Sequence, residues 1–162
     1  MFVLGVDPGL TRTGYGIVES HRTGSAVVRA VGVIRTSPST PMPERLAELF
    51  EDLSAIIADH QPDVMAIESV FVNQNLQTAT AVGRASGVAI LAGARAGLAV
   101  EEFTPSSVKS AVTGYGNAPK DQVQKMVAAR LGLPAAPKPA DAADALAVAL
   151  CYLQNARMRA VR

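Results

Sequence analysis

The chain has 162 residues, of which 49% are apolar and 18% charged; this excludes a disordered polypeptide and leaves room for one domain with a substantial core. A net charge of +1 excludes a bulk polycation, so a polyanionic partner would have to be met by local charge. The one cysteine, Cys151, cannot form an internal disulfide, and two isolated histidines, His21 and His60, give no zinc pattern, so a bound metal would take oxygen ligands.

Residues 2–7, FVLGVD, are a short apolar run halted by Pro-Gly, and TGYGIVES and SAVVRAVGVIRT follow with the turn HRTGS between them. This pattern predicts three strands, the first central and the next two antiparallel hairpin partners. PERLAELFEDLSAIIADH places apolar residues at helical spacing behind Pro43 and predicts an amphipathic helix. DVMAIESV predicts a fourth strand buried on both faces, which after a helical crossover should pair parallel to the first.

Residues 75–97 predict a helix rich in Ala and Gly, whose Gly83, Gly87 and Gly93 permit close packing against the sheet or against a second copy of the chain. LAVEEFT predicts a fifth strand. TPSSVKSAVTG and PKDQVQKMVAARLG predict two helices joined by the loop YGNA, and PADAADALAVALCYLQNARMR predicts the last helix. The expected architecture is α/β: one domain over residues 1–162, with a five-stranded mixed sheet of three antiparallel and then parallel strands, flanked by helices on both faces. This is the element order of an RNase H-like fold. The basic tail, 156–162, is expected to be disordered. No apolar run reaches the length of a membrane span, and MFVLGVDPG lacks the features of a signal peptide, so the expectation is a soluble, cytoplasmic protein without membrane contact.

Charge is unevenly spread. Six acids between Glu44 and Asp63 face a single Arg45, whereas Lys109, Lys120, Lys125, Arg130 and Lys138 outnumber Asp121 between Pro105 and Pro139. Such asymmetry fits a polyanion approaching one side only, and also fits ordinary solvated faces.

Four carboxylates stand at element ends. Asp7 closes the first strand and Glu68 the fourth; if these strands are parallel neighbours, the two acids share the sheet edge where α/β folds place their sites. Asp141 and Asp144 occupy the start of an otherwise apolar helix, and a separation of three residues sets them about 60° apart and about 4.5 Å along the axis. Acids at a helix start are common as caps, and on spacing alone that reading stands beside a functional one, although it explains Asp141 better than Asp144, a turn further in. Gathered together, the four would repel, and divalent metal ions relieve that repulsion; a pair of them about 4 Å apart is a device for in-line phosphodiester hydrolysis.

VDPGLTRTGYG, AIESVF followed by Asn75, VKSAVTGYGNAPK and PADAADALAVAL occur in this order across essentially the whole chain, and together they resemble the RuvC family of Holliday junction resolvases. The resemblance implies that Asp7, Glu68, Asp141 and Asp144 bind magnesium, two ions per site with manganese as a substitute. It further implies that they cut two symmetry-related strands of a four-way DNA junction, leaving 5′-phosphate and 3′-hydroxyl ends. It implies a homodimer and a branch-migration helicase complex as partners.

Phe71, three residues past Glu68, matches the family's aromatic that stacks on or wedges between bases. Asn73 and Asn75 can hydrogen-bond to base edges. Gln74 departs from relatives that are basic there, which puts a phosphate contact at that position in doubt. Lys109 and Lys120 match lysines placed near the DNA, where point charges contact phosphate or stabilise transition-state charge. Three other readings fit parts of the sequence. An actin-like ATPase shares the Asp-Pro-Gly turn but needs two domains. An RNase H-like nuclease of ribosomal RNA maturation should be shorter and lack the Phe71 loop. A catalytically inactive junction-binding module is the third, although all four candidate ligands are present.

Overall fold

Three strands open the chain: β1 (Phe2–Asp7), β2 (Arg12–Ser20) and β3 (Ala26–Arg35). The computed structural model describes residues 1–21, 23–69 and 75–160. After helix α1 (Met42–His60) come β4 (Val64–Glu68), α2 (Leu76–Arg95), β5 (Ala99–Phe103), α3 (Pro105–Thr113), α4 (Lys120–Arg130) and α5 (Ala140–Ala160). The sheet has five strands in the order β3-β2-β1-β4-β5. Pairing is antiparallel among the first three strands and parallel for β1 with β4 and β4 with β5, so the apolar β1 lies at the centre as its sequence implied. A register shift in the β2–β3 pairing at Ile17/Val18 had no signal in the sequence pattern.

Alternation along the strands builds two cores. Leu4, Val6, Ile17, Met65 and Ile67 face one side and pack with Leu49, Leu53 and Ile57 of α1 and with Ala85 and Ala89 of α2. Val3, Val18, Val64, Ala66 and Phe103 face the other and pack with Val108, Val123, Leu146 and Leu150 from α3, α4 and α5. Helices thus cover both faces, as an RNase H-like fold requires. The same alternation puts Asp7, in step with Val3 and Gly5, and Glu68, in step with Val64 and Ala66, on the α5 side.

Helix α5 is nearly engulfed, with ten buried residues from Ala142 to Leu153, and it sits directly on a track of glycines. A methyl group built on Gly5 would lie 2.1 Å from the Ala145 carbonyl oxygen, and one on Gly14 would lie 1.9 Å from that of Asp141. One on Gly16 would meet the Leu146 side chain at 2.6 Å. The glycines of GVD and TGYG therefore set how close the helix lies to the sheet. The expectation of a disordered tail fails for residues 156–160, which continue α5. Burial of the preceding turns carries the helix onward, and Arg159 clasps Glu101 of β5 through two hydrogen bonds of 2.7 and 2.9 Å. Val161 and Arg162 lie outside the described residues.

Candidate active site

β1 and β4 pair in parallel with Val6 beside Ile67, so the next residues, Asp7 and Glu68, emerge together at the carboxyl edge of the sheet. Across from Asp7 on β2 is Gly14, over which the first turn of α5 passes. That close approach brings Asp141 and Asp144 to the same edge. The loop between β1 and β2 is pinned by Thr13, whose hydroxyl donates to the Gly9 carbonyl at 2.7 Å, and by Thr36, whose hydroxyl donates to Leu10 at 2.5 Å. Ser69, just past Glu68, is tied to the end of β5 by its backbone N–H, 2.8 Å from the Phe103 carbonyl oxygen.

Asp7 and Glu68 sense the acids around them. Asp7 is pushed up from 3.8 to about 8, first by burial and then by the charges of Glu68, Asp144 and Asp141. Glu68 is pushed up to about 7, again by burial first and then by Asp144, while Lys109 and Lys120 pull in the opposite direction. A half-buried carboxyl pair at two strand ends, facing two more acids on a helix, is held at the expense of its own ionisation.

Two side-chain cations partly relieve this. Lys120 Nζ, at the start of α4, donates to Asp144 Oδ2 at 2.7 Å, and that hydrogen bond raises the lysine's own pKa. Arg12 Nε lies 3.5 Å from Asp141 Oδ2. Arg12 was missed by the sequence reading; its signal was a basic residue at the start of β2, two positions before the glycine under α5. Lys109 does not pair with an acid at this range, but it lines a cleft of about 280 Å³ together with Glu68, Pro105, Val108, Lys120, Val123, Asp144 and Ala147. Both lysines and two of the four carboxylates therefore open onto one concavity.

Among the described residues no three acids, histidines or cysteines are drawn together as a ready metal cage, since Asp141 and Asp144 lean toward Arg12 and Lys120. The donor set nevertheless fits a hard divalent cation: it is oxygen only, partly buried and short of positive charge. Phe71, Asn73 and Gln74 lie outside the described residues. Asn75 is the N-cap of α2, its Oδ1 accepting from the backbone N–H groups of Gln77 at 3.1 Å and Thr78 at 3.2 Å. Its carbonyl oxygen therefore serves the helix start, a task that competes with base contact.

Known proteins resemble the chain over nearly its whole length. The family model for crossover junction endodeoxyribonuclease RuvC matches residues 3–152. A protein of that name from Salinispora arenicola (strain CNS-205) is 50% identical over 153 residues, covering 94% of this chain and 87% of the relative. One from Pelotomaculum thermopropionicum is 51% identical over 155 residues, covering 96% and 94%. The solved structure of T. thermophilus RuvC in complex with Holliday junction substrate superposes with a TM-score of 0.89 at 34% identity, covering 98% of this chain and 96% of that one. The chain belongs to the RuvC family of crossover junction endodeoxyribonucleases.

Proposed function

We propose that the chain is a structure-selective endonuclease that resolves Holliday junctions in DNA recombination and repair. It hydrolyses one phosphodiester in each of two opposed strands and leaves 5′-phosphate and 3′-hydroxyl ends. The observation that carries this reading is the meeting of Asp7, Glu68, Asp141 and Asp144 at one sheet edge beside a lysine-lined cleft.

In this reading the four carboxylates hold two divalent ions, magnesium in the cell with manganese able to replace it. When bound there, such ions supply Lewis-acid charge and a more acidic water for hydrolysis. The protein's own side chains do the rest. Strand pairing fixes the backbone of Asp7 and Glu68, and the seat of α5 on Gly14 fixes that of Asp141, so a bound ion needs only the Asp141 and Asp144 side chains to turn from Arg12 and Lys120. Lys109 and Lys120 face the phosphate and offset its charge as it grows in the transition state. Phe71, Asn73 and Asn75 are assigned to DNA contact by family resemblance.

A four-way junction has two-fold symmetry, and paired cuts follow most simply from a two-fold symmetric enzyme. The second copy is proposed to dock on α2. Leu76, Thr80, Gly83, Gly87, Leu91 and Ala94 recur at helical spacing and are all exposed, Leu76 at 71% and Leu91 at 51%. Groups built on Gly83 or Gly87 would meet nothing within 4 Å, whereas Gly93 packs inward against Met65 and Val100. Work beside a branch-migration helicase complex in the cytoplasm completes the proposal.

A labelled four-way junction with a mobile core, incubated with and without magnesium beside a linear duplex of the same sequence, tests it. Symmetric, magnesium-dependent nicks confined to the junction support the reading. Equal cutting of duplex, or junction binding without cutting in any divalent metal, overturns it.

A further inference from the structure

The loop between α3 and α4, residues 114–119, carries an anomaly. Tyr115 is 58% exposed, and it is the one aromatic side chain that is exposed among the described residues. An exposed aromatic on a floppy loop would mean little, but this loop is built to a fixed shape. Gly114 ends α3 in a left-handed conformation (φ 83°), and its N–H donates to the Ser110 carbonyl at 2.8 Å. The Tyr115 N–H donates to Thr113 Oγ1 at 3.1 Å, while the Thr113 hydroxyl donates to the Lys109 carbonyl at 2.8 Å. The Tyr115 carbonyl accepts from the Ala118 N–H at 3.1 Å, and Ala118 is buried in the core beneath.

The loop is also in the right place. A methyl group on Gly116 would lie 2.5 Å from Ser106 Oγ, so the chain folds back against the first turn of α3, next to Pro105 on the cleft wall. From there it leads into Lys120, which bonds Asp144. Tyr115 therefore lies on the loop that joins the two helices of the cleft wall, the ones that bring Lys109 and Lys120 to the cleft, without itself being one of the lining residues. Its hydroxyl has no hydrogen-bond partner among the described residues, and no ring packs on it. An exposed ring on a loop of fixed shape, between the helices that carry Lys109 and Lys120, has the make-up of a single-strand stacking platform.

We propose that Tyr115 is a DNA-contacting residue whose ring stacks on a nucleobase left unpaired near the scissile phosphate, favouring an opened junction over a continuous duplex. This rests on the endonuclease reading above and adds to it a residue on the α3–α4 loop. A base stacked within a duplex has no free face to offer, so the contact discriminates by structure rather than by sequence.

The test compares wild type with Tyr115→Ala and Tyr115→Phe, using fluorescence anisotropy on a labelled four-way junction and on duplex, and emission from 2-aminopurine placed beside the crossover. Expected are about a tenfold loss of junction affinity in Tyr115→Ala, little change on duplex, retention in Tyr115→Phe, and quenching of 2-aminopurine by wild type and Tyr115→Phe only. Unchanged melting temperatures would show that the fold is intact, as the exposure of the ring implies. Junction binding and quenching by Tyr115→Ala equal to wild type would overturn the proposal while wild-type cutting left the endonuclease reading standing. Loss in Tyr115→Phe equal to that in Tyr115→Ala would replace stacking by a hydroxyl contact and also overturn it. Failure of wild type itself to prefer the junction would overturn both readings.

Discussion

Lys120 Nζ and Asp144 Oδ2 are 2.7 Å apart, joining the first residue of α4 to the second turn of α5 across the candidate active site. Arg12 and Asp141 make a longer counterpart of 3.5 Å from the β2 side. These cations neutralise the two helix carboxylates, and a divalent ion must displace them. Arg12→Gln should therefore raise the affinity of the DNA-free protein for manganese about twofold to fivefold, the scale of an exposed ion pair, measured by electron paramagnetic resonance titration. Arg35→Gln on the adjoining strand, an equal change in net charge, serves as control. Equal gains in both would reduce the effect to general electrostatics.

Lys120→Ala has a second consequence. Besides freeing Asp144 it removes positive charge from the cleft that would face the phosphate. Cutting should fall about 100-fold to 1000-fold, the loss typical of a transition-state charge contact, with a smaller loss of junction binding. Single-turnover cleavage alongside equilibrium binding separates the two. A drop in binding that accounts for the whole loss of rate would make Lys120 a docking charge only.

Asp7 links the site to stability. Its pKa is raised from 3.8 to about 8, so the folded chain holds this proton more tightly than the unfolded chain does. The stabilisation is full below about pH 4 and is lost as pH rises through about 8. In metal-free buffer, Asp7→Asn should melt above wild type at pH 8, and the two should converge near pH 4. Excess magnesium should raise the wild-type melting temperature at pH 8 and leave the variant's unchanged. Scanning calorimetry at the two pH values, with and without magnesium, checks all three statements.

Gly14→Ala tests the seat of α5. The added methyl group would collide at 1.9 Å with the Asp141 carbonyl oxygen, a backbone atom that no rotamer change can move, so the helix start must lift. Cutting should fall about 100-fold, as expected for ligands displaced by about 1 Å, while circular dichroism stays that of a folded α/β protein. Full activity in Gly14→Ala would mean that the helix start is not held by this contact.

Gly87→Trp tests the proposed interface. Space outside Gly87 is open in the monomer, so the fold should tolerate the ring. Sedimentation should show a dimer for wild type and a monomer for the variant, with equal melting temperatures. A variant that remains a dimer would place the interface elsewhere.

Much of this architecture is legible in the sequence. Asp7 and Glu68 could be read because strand periodicity fixes both the edge and the face of a residue at a strand end. Asp144 stood out because an apolar helix had no local use for a second acid. What the sequence could not convey was contact between distant segments. The approach of Gly14 to Asp141 and the pairing of Arg12 with Asp141 depend on where α5 crosses the sheet, and no periodicity encodes a crossing point. Asn75 could be placed at a helix start, yet its side chain's use as a cap became clear only from the hydrogen bonds to Gln77 and Thr78. The tail from residue 156 looked disordered because its charge was visible and its helical continuation toward Glu101 was not.

The most direct measurement is the single-turnover cleavage rate of Glu68→Gln and Asp141→Asn on a labelled four-way junction in magnesium, with junction affinity measured on the same samples. If the carboxylates hold the ions that drive hydrolysis, both variants lose cutting by about 1000-fold or more while binding the junction as tightly as wild type or more tightly, since each has shed a negative charge facing phosphate. Retained cutting in either variant, or loss of binding in step with cutting, would contradict that role for the four acids.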